Sequence, residues 1–181
     1  MSCCETGTAA KLKTSATDCP DCGAAGSPVE PITVKALLNP RGLRMGPVIA
    51  PRFCATAQCP VVYYETADAT TYSEKELTVR VHAKHPAEAE VPLCYCFDVT
   101  SATMLREIAQ TGKTTAREWV AQEVKAGRCA CEVKNPKGAC CLGDLVRAER
   151  EILAVSQNAL AGPLEERAPA SGDRFSAGSD E

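Results

Sequence analysis

CATAQCPVVYYE, residues 54–65, sets a cysteine pair directly against a run of apolar and aromatic residues. Pro60–Glu65 carries the β-branched and aromatic side chains that strands favour, so it predicts a firm strand with Cys54 and Cys59 at its mouth. Upstream stands CPDCG, residues 19–23, which has the form of a zinc knuckle. Two thiols are separated by two residues, and the glycine after them permits a tight turn that brings backbone N–H groups towards sulfur. Between Cys22 and Cys54 lie 31 residues, longer than the usual spacing of about 15–20 in four-cysteine sites. Four thiolates suit a closed tetrahedral zinc site with no open catalytic position.

The same habit runs through the chain. Of its 12 cysteines, Cys3/Cys4, Cys94/Cys96, Cys129/Cys131 and Cys140/Cys141 form further local pairs. Short pairs separated by long gaps let a chain bring two thiolates to an ion and return with two more. Such donors favour zinc, cuprous copper and iron–sulfur clusters. A disulfide framework is the rival reading. Residues 1–20 lack the apolar core of a secretory signal, and no run approaches the roughly 20 apolar residues of a membrane span. A cytoplasmic location is expected, where thiols stay reduced and serve metals or redox chemistry. A net charge of -3 gives no electrostatic footprint for nucleic acid.

The chain divides into an expected disordered start (1–18), a zinc-binding domain (19–85), a helical domain (91–157) and a disordered tail (158–181). The fold class is α+β: a small zinc-stapled, β-containing domain followed by a small helical one. In the first domain, Ile32–Leu38 is expected as a strand and Asn39–Gly42 as a turn. Leu77–Ala83 is expected as a strand because Leu77, Val79 and Val81 alternate with polar neighbours. KHPAEAEVP, 84–92, reads as a linker. In the second domain, Thr100 or Ser101 caps a helix with Met104, Leu105 and Ile108, ended by Gly112. Thr115 and Glu118 form a capping-box pattern, with Trp119, Val120 and Val124 inside and Gly127 as the stop. A third helix starts near Leu142.

The second cysteine set reads VPLCYCF, helices, then CACEVKNPKGACCLGDL over 129–145. The Cys94/Cys96 pair can share one iron, and Cys140 or Cys141 opens the last helix, whose positive end stabilises thiolate charge. Six cysteines compete for four places, and a second zinc is the alternative occupant. His82 and His85, in a polar region, read as solvated rather than ligating. Asp98, Glu132 and Asp144 lie near these cysteines, each in an ordinary loop or capping position. Vicinal Cys3 and Cys4 could capture a soft ion such as Cu(I), although such thiols in a tail are more often incidental.

Residues Cys94–Leu153 resemble the bacterioferritin-associated ferredoxin-like [2Fe-2S] domain, whose pattern is C-x-C, a gap in the low thirties and two further cysteines before a helix. Cys96 to Cys129 encloses 32 residues and Cys96 to Cys131 encloses 34. The family's usual C-G-x-C ending is replaced here by the longer Cys129–Cys141 loop. That loop, with the upstream CPxCG and CxxxxCPVVYY, is similar to the amino-terminal region of CopZ-type copper chaperones over residues 19–155. The resemblance implies zinc on Cys19, Cys22, Cys54 and Cys59. It implies a [2Fe-2S] cluster on Cys94, Cys96, one of Cys129/Cys131 and one of Cys140/Cys141; of these, Cys131 and Cys141 are favoured because Cys141 directly precedes the last helix. The copper-binding G-M-T-C-x-x-C loop of those chaperones is not found in this sequence. The resulting expectation is a metal-binding protein of copper or heavy-metal homeostasis. It would carry single electrons or assist a metallochaperone, with a copper or heavy-metal transporter or chaperone as partner, and no nucleic acid or membrane. With no acid–base constellation, it is not expected to be an enzyme. The alternatives are a two-zinc structural adaptor or a metal-responsive regulator.

Overall fold

The computed structural model describes residues 17–68 and 70–160; Cys3, Cys4 and most of both expected disordered termini lie outside them. The first half holds β1 (Ser27–Pro28), α1 (Pro31–Leu37), β2 (Pro51–Phe53), β3 (Val61–Glu65) and β4 (Thr71–Ser73). The second half holds β5 (Pro92–Cys94), β6 (Val99–Thr100), α2 (Ser101–Thr111), α3 (Ala116–Lys125), α4 (Cys131–Lys134) and α5 (Leu142–Leu160). The architecture is α+β.

The first four strands form one antiparallel sheet in the order β1-β2-β3-β4. The predicted strand at 60–65 is β3, and all five of its residues are buried. A register irregularity between Val61 and Tyr63 breaks its simple alternation. Val61 and Tyr64 pack with Cys19, Cys54 and Cys59, while Val62 and Tyr63 join the main core with Phe53, Tyr72 and Val34.

Two expected strands differ. Ile32–Leu38 is mostly helix α1, because Pro31 sits at its start, where a fixed φ and a missing N–H favour a helix. The helix buries Thr33, Val34 and Leu37 and leaves Ile32 exposed. Leu77–Ala83 has the expected alternation of burial but no strand ladder. Its backbone donors go elsewhere: Thr78 to the Leu37 carbonyl, Val81 to the Glu74 carboxylate and His82 to the Tyr95 hydroxyl. The expected turn at 39–42 is stabilised by the Asn39 side chain, which accepts from the backbone N–H groups of Arg41 and Gly42. The 84–92 stretch is pinned by Glu88, which pairs with Arg80 and His85.

In the second half, β5 and β6 form a hairpin against α2 and α5. Helix α2 starts at a Thr100 cap and ends at left-handed Gly112, as the sequence suggests. Helix α5 buries Leu145, Ala148 and Ile152 against Met104 and Val120. Trp119, expected inside, is more than two-fifths exposed, as is Leu105; Trp119 packs edge-on against Phe97. The halves meet where α1 packs on α4.

Candidate metal centre

Cys19, Cys22, Cys54 and Cys59 converge so that their sulfurs all lie within 4.8 Å of one another. Cys19 and Cys59 are 3.8 Å apart, and Cys22 and Cys54 are 3.7 Å apart. Local backbone bonds build this convergence. The Gly23 N–H donates to the Cys19 carbonyl at 2.9 Å, closing the knuckle turn, and Gly23 takes the left-handed φ that glycine permits. Across the sheet, the Cys54 N–H donates to the Val62 carbonyl at 2.9 Å, fixing the second pair to β3. Tyr64 completes the frame: its hydroxyl donates to the Thr17 carbonyl at 2.6 Å and accepts from the Gly26 N–H at 3.0 Å.

The set is electrostatically graded. Cys22, the one exposed member, is lowered to about 6 by the Ala24 N–H and by the Thr56 hydroxyl 3.6 Å away. Burial pushes Cys19 and Cys59 up, and Cys59 donates to Asp21 at 3.2 Å. Metal uptake must therefore displace protons from the buried thiols, and it tightens as pH rises. Four soft donors in a closed, mostly buried set fit zinc.

The other expected ligands form a different figure. Cys96 and Cys131 lie 3.7 Å apart, and Cys94 and Cys141 are buried in the same apolar cluster, each acting on the titration of the other. Among the described residues, no three of these sulfurs satisfy the mutual 4.8 Å closeness of the first set. The hairpin delivers Cys94 and Cys96, α4 begins with Cys131, and Cys141 directly precedes α5, its carbonyl accepting from the Asp144 and Leu145 N–H groups. The neighbouring Cys141 lowers Cys94 to about 6, while Cys94 and burial raise Cys141. Burial and the neighbouring Cys96 push Cys131 up to about 12. The Ala130 N–H points at Cys96 Sγ, 3.3 Å away. Leu93, Val99, Met104 and Leu145 pack around the thiols. Cys129 is half-buried beside them, and Cys140 is exposed.

Other candidates serve structure. His85 bridges Glu74 and Glu88, and desolvation lowers His82. Asp144 pairs with Lys137 and Arg147, Asp98 holds a left-handed turn position, and the Glu132 carbonyl accepts from Thr33. Sequence reasoning missed Thr33, Thr56, Tyr63, Tyr64 and Asn135. Thr56 and Asn135 lie within the cysteine loops, where no motif marked their roles, while Thr33 and Tyr63 reach the second loop across 99 and 73 residues and Tyr64 reaches the knuckle across 38.

A family profile described as a zinc binding domain, of CopZ type, matches residues 16–78. The copper chaperone CopZ of Archaeoglobus fulgidus is 35% identical over 130 residues, 71% of this chain and 60% of that protein. The chain thus spans about 60% of the length of the curated relative it matches. The X-ray structure of the Archaeoglobus fulgidus CopZ N-terminal domain aligns with a TM-score of 0.56 and 32% identity, covering 72% of this chain and 95% of that one. With the zinc-binding segment matched and almost the whole of that domain covered, this chain belongs to the family of CopZ N-terminal domains.

Proposed function

We propose that this protein holds zinc at Cys19, Cys22, Cys54 and Cys59 and a [2Fe-2S] cluster at Cys94, Cys96, Cys131 and Cys141, and that it carries single electrons for a partner in copper or heavy-metal handling. One contrast supports this most directly. The first set is one compact group of four, suited to one ion, whereas the second is more open, with Cys96 set against Cys131 rather than grouped with Cys94 as expected and Cys94 and Cys141 buried beside them, which suits a group larger than one ion. The donor chemistry fits, since four thiolates are the usual ligands of such a cluster. When bound, a [2Fe-2S] cluster supplies a one-electron couple.

The chain's own residues do the remainder. Leu93, Val99, Met104 and Leu145 exclude water, which together with N–H bonds to sulfur tunes a potential. The Ala130 N–H faces Cys96, and the amino-terminal end of α5 lies beside Cys141. A copper transporter or chaperone is the partner this reading favours, because the curated relative is named a copper chaperone.

Anaerobic purification from an iron-supplied host, with metal analysis and visible absorption on one sample, tests the reading. Two irons and one zinc per chain, with sulfide and charge-transfer bands, are expected. Cys131→Ser and Cys141→Ser should lose colour, while Cys129→Ser and Cys140→Ser should keep it. Two zincs and no colour after reconstitution would leave a two-zinc adaptor.

A further inference from the structure

The adjacent tyrosines of β3 serve different cysteine sets. Tyr64 packs with the first set and ties its knuckle through Thr17 and Gly26. Tyr63, fully buried in the main core, donates from its hydroxyl to the Pro136 carbonyl at 2.7 Å. Pro136 lies inside the Cys131–Cys141 loop, midway between two cysteines of the second set.

Two more contacts grip that loop from the same side. Thr33 of α1, also fully buried, donates from its hydroxyl to the Glu132 carbonyl. Gly138 presses so closely on α1 and its approach that an added Cβ would stand 3.1 Å from Thr33 Oγ1 and 3.2 Å from Val29 Cγ1. Within the loop, Asn135 clips the backbone by donating to the Ala139 carbonyl at 2.7 Å and accepting from the Lys137 N–H at 3.1 Å. The loop is clipped internally by Asn135 and tied to α5 through Lys137 and Asp144, and its further fastenings, at Thr33, Tyr63 and Val29, belong to the zinc-binding segment.

A continuous set of bonds joins the two ends. Cys59 enters β3 through Pro60, Cys54 is bonded to Val62, and Tyr63 follows Val62 on the same strand. We propose that Tyr63 and Thr33 are positioning residues for the second cysteine set, and that β3 couples the first site to the Cys131–Cys141 loop. Emptying the first site loosens the strand that holds the loop. By linkage, loading the second set tightens zinc at the first by the same factor. The consequence for a cluster rests on the reading given above; the fastening of the loop does not.

The test uses the full chain. Tyr63→Phe removes one hydroxyl, and Thr33→Val removes the other donor at nearly constant volume. In zinc-loaded, iron-free protein, amide exchange of residues 132–139 is expected to speed up about two- to tenfold in either variant, the worth of one hydrogen bond. Withdrawing zinc from the unaltered protein should accelerate the same amides. Withdrawing it from Tyr63→Phe should add little, because the connection is already cut. In iron-loaded protein, Tyr63→Phe should release iron to a chelator faster by a similar factor and alter the visible circular dichroism. Exchange and iron release indifferent to Tyr63→Phe, or strictly additive effects of variant and zinc withdrawal, would overturn the coupling. A protein that takes up no iron but shows the exchange pattern would support the coupling and reject the cluster.

Discussion

Gly26 has no room for a side chain. A Cβ there would lie 2.3 Å from the Tyr64 hydroxyl and 2.9 Å from the Phe53 carbonyl, so the tyrosine reaches the knuckle only because position 26 is bare. Gly26→Ala should displace Tyr64 or the knuckle, costing about 1–3 kcal/mol as overpacking does, and should weaken zinc binding alongside. Thermal melting and competition with a chromogenic zinc chelator measure both; a variant matching the parent in each would mean that the contact yields freely. Nothing local marked this glycine. Cys19 and Cys22 were legible because thiols separated by two residues announce shared coordination, as was Gly23 through its place after Cys22. Gly26 and Tyr64 meet across 38 residues, a distance no short motif spans.

Helix α3 is capped from outside its own sequence. The capping box expected of Thr115 and Glu118 is absent, since the Thr115 side chain makes no bond to its own helix. It donates instead to Glu107 of α2 at 2.7 Å, and Glu107 also accepts from Thr114 at 2.6 Å and from the Thr115 N–H at 3.0 Å. These bonds hold the Glu107 carboxyl below its ordinary value. Glu107→Ala should therefore lower stability at neutral pH by about 1–2 kcal/mol, read by urea unfolding. A depressed carboxyl pKa contributes fully above its unfolded value and is lost as pH falls through the lower folded value, so parent and variant should converge on acidification. A gap unchanged by pH would assign the effect to packing. Periodicity found α2, α3 and α5 because each turns an apolar stripe inward. Periodicity gave no warning at Ile32–Leu38, expected as a strand, where Pro31 starts a helix. At 77–83 it gave the buried faces correctly but could not show that Glu74 and Tyr95 replace a neighbouring strand.

The two halves share fastenings at Thr33, Tyr63 and Gly138, all buried or tightly packed against the opposite half. Unfolding should accordingly be a single transition. Trp119 reports on the second half, and Tyr63, Tyr64 and Tyr72 lie in the first, so tryptophan fluorescence and near-ultraviolet tyrosine signals should share one urea midpoint. Separate midpoints would mean that the interface contributes little. The sequence allowed both cysteine sets to be named but not their mutual shape. Whether four sulfurs form one knot or a more open group depends on how the hairpin, α4 and α5 meet. Cys22 adds a kinetic asymmetry to the first set. Its three companions are buried and it alone faces solvent, so an incoming thiol or chelator must begin ligand exchange there. A metal held by this set would be reached through a single door, and the crowding of that doorstep would help to set the rate of its exchange.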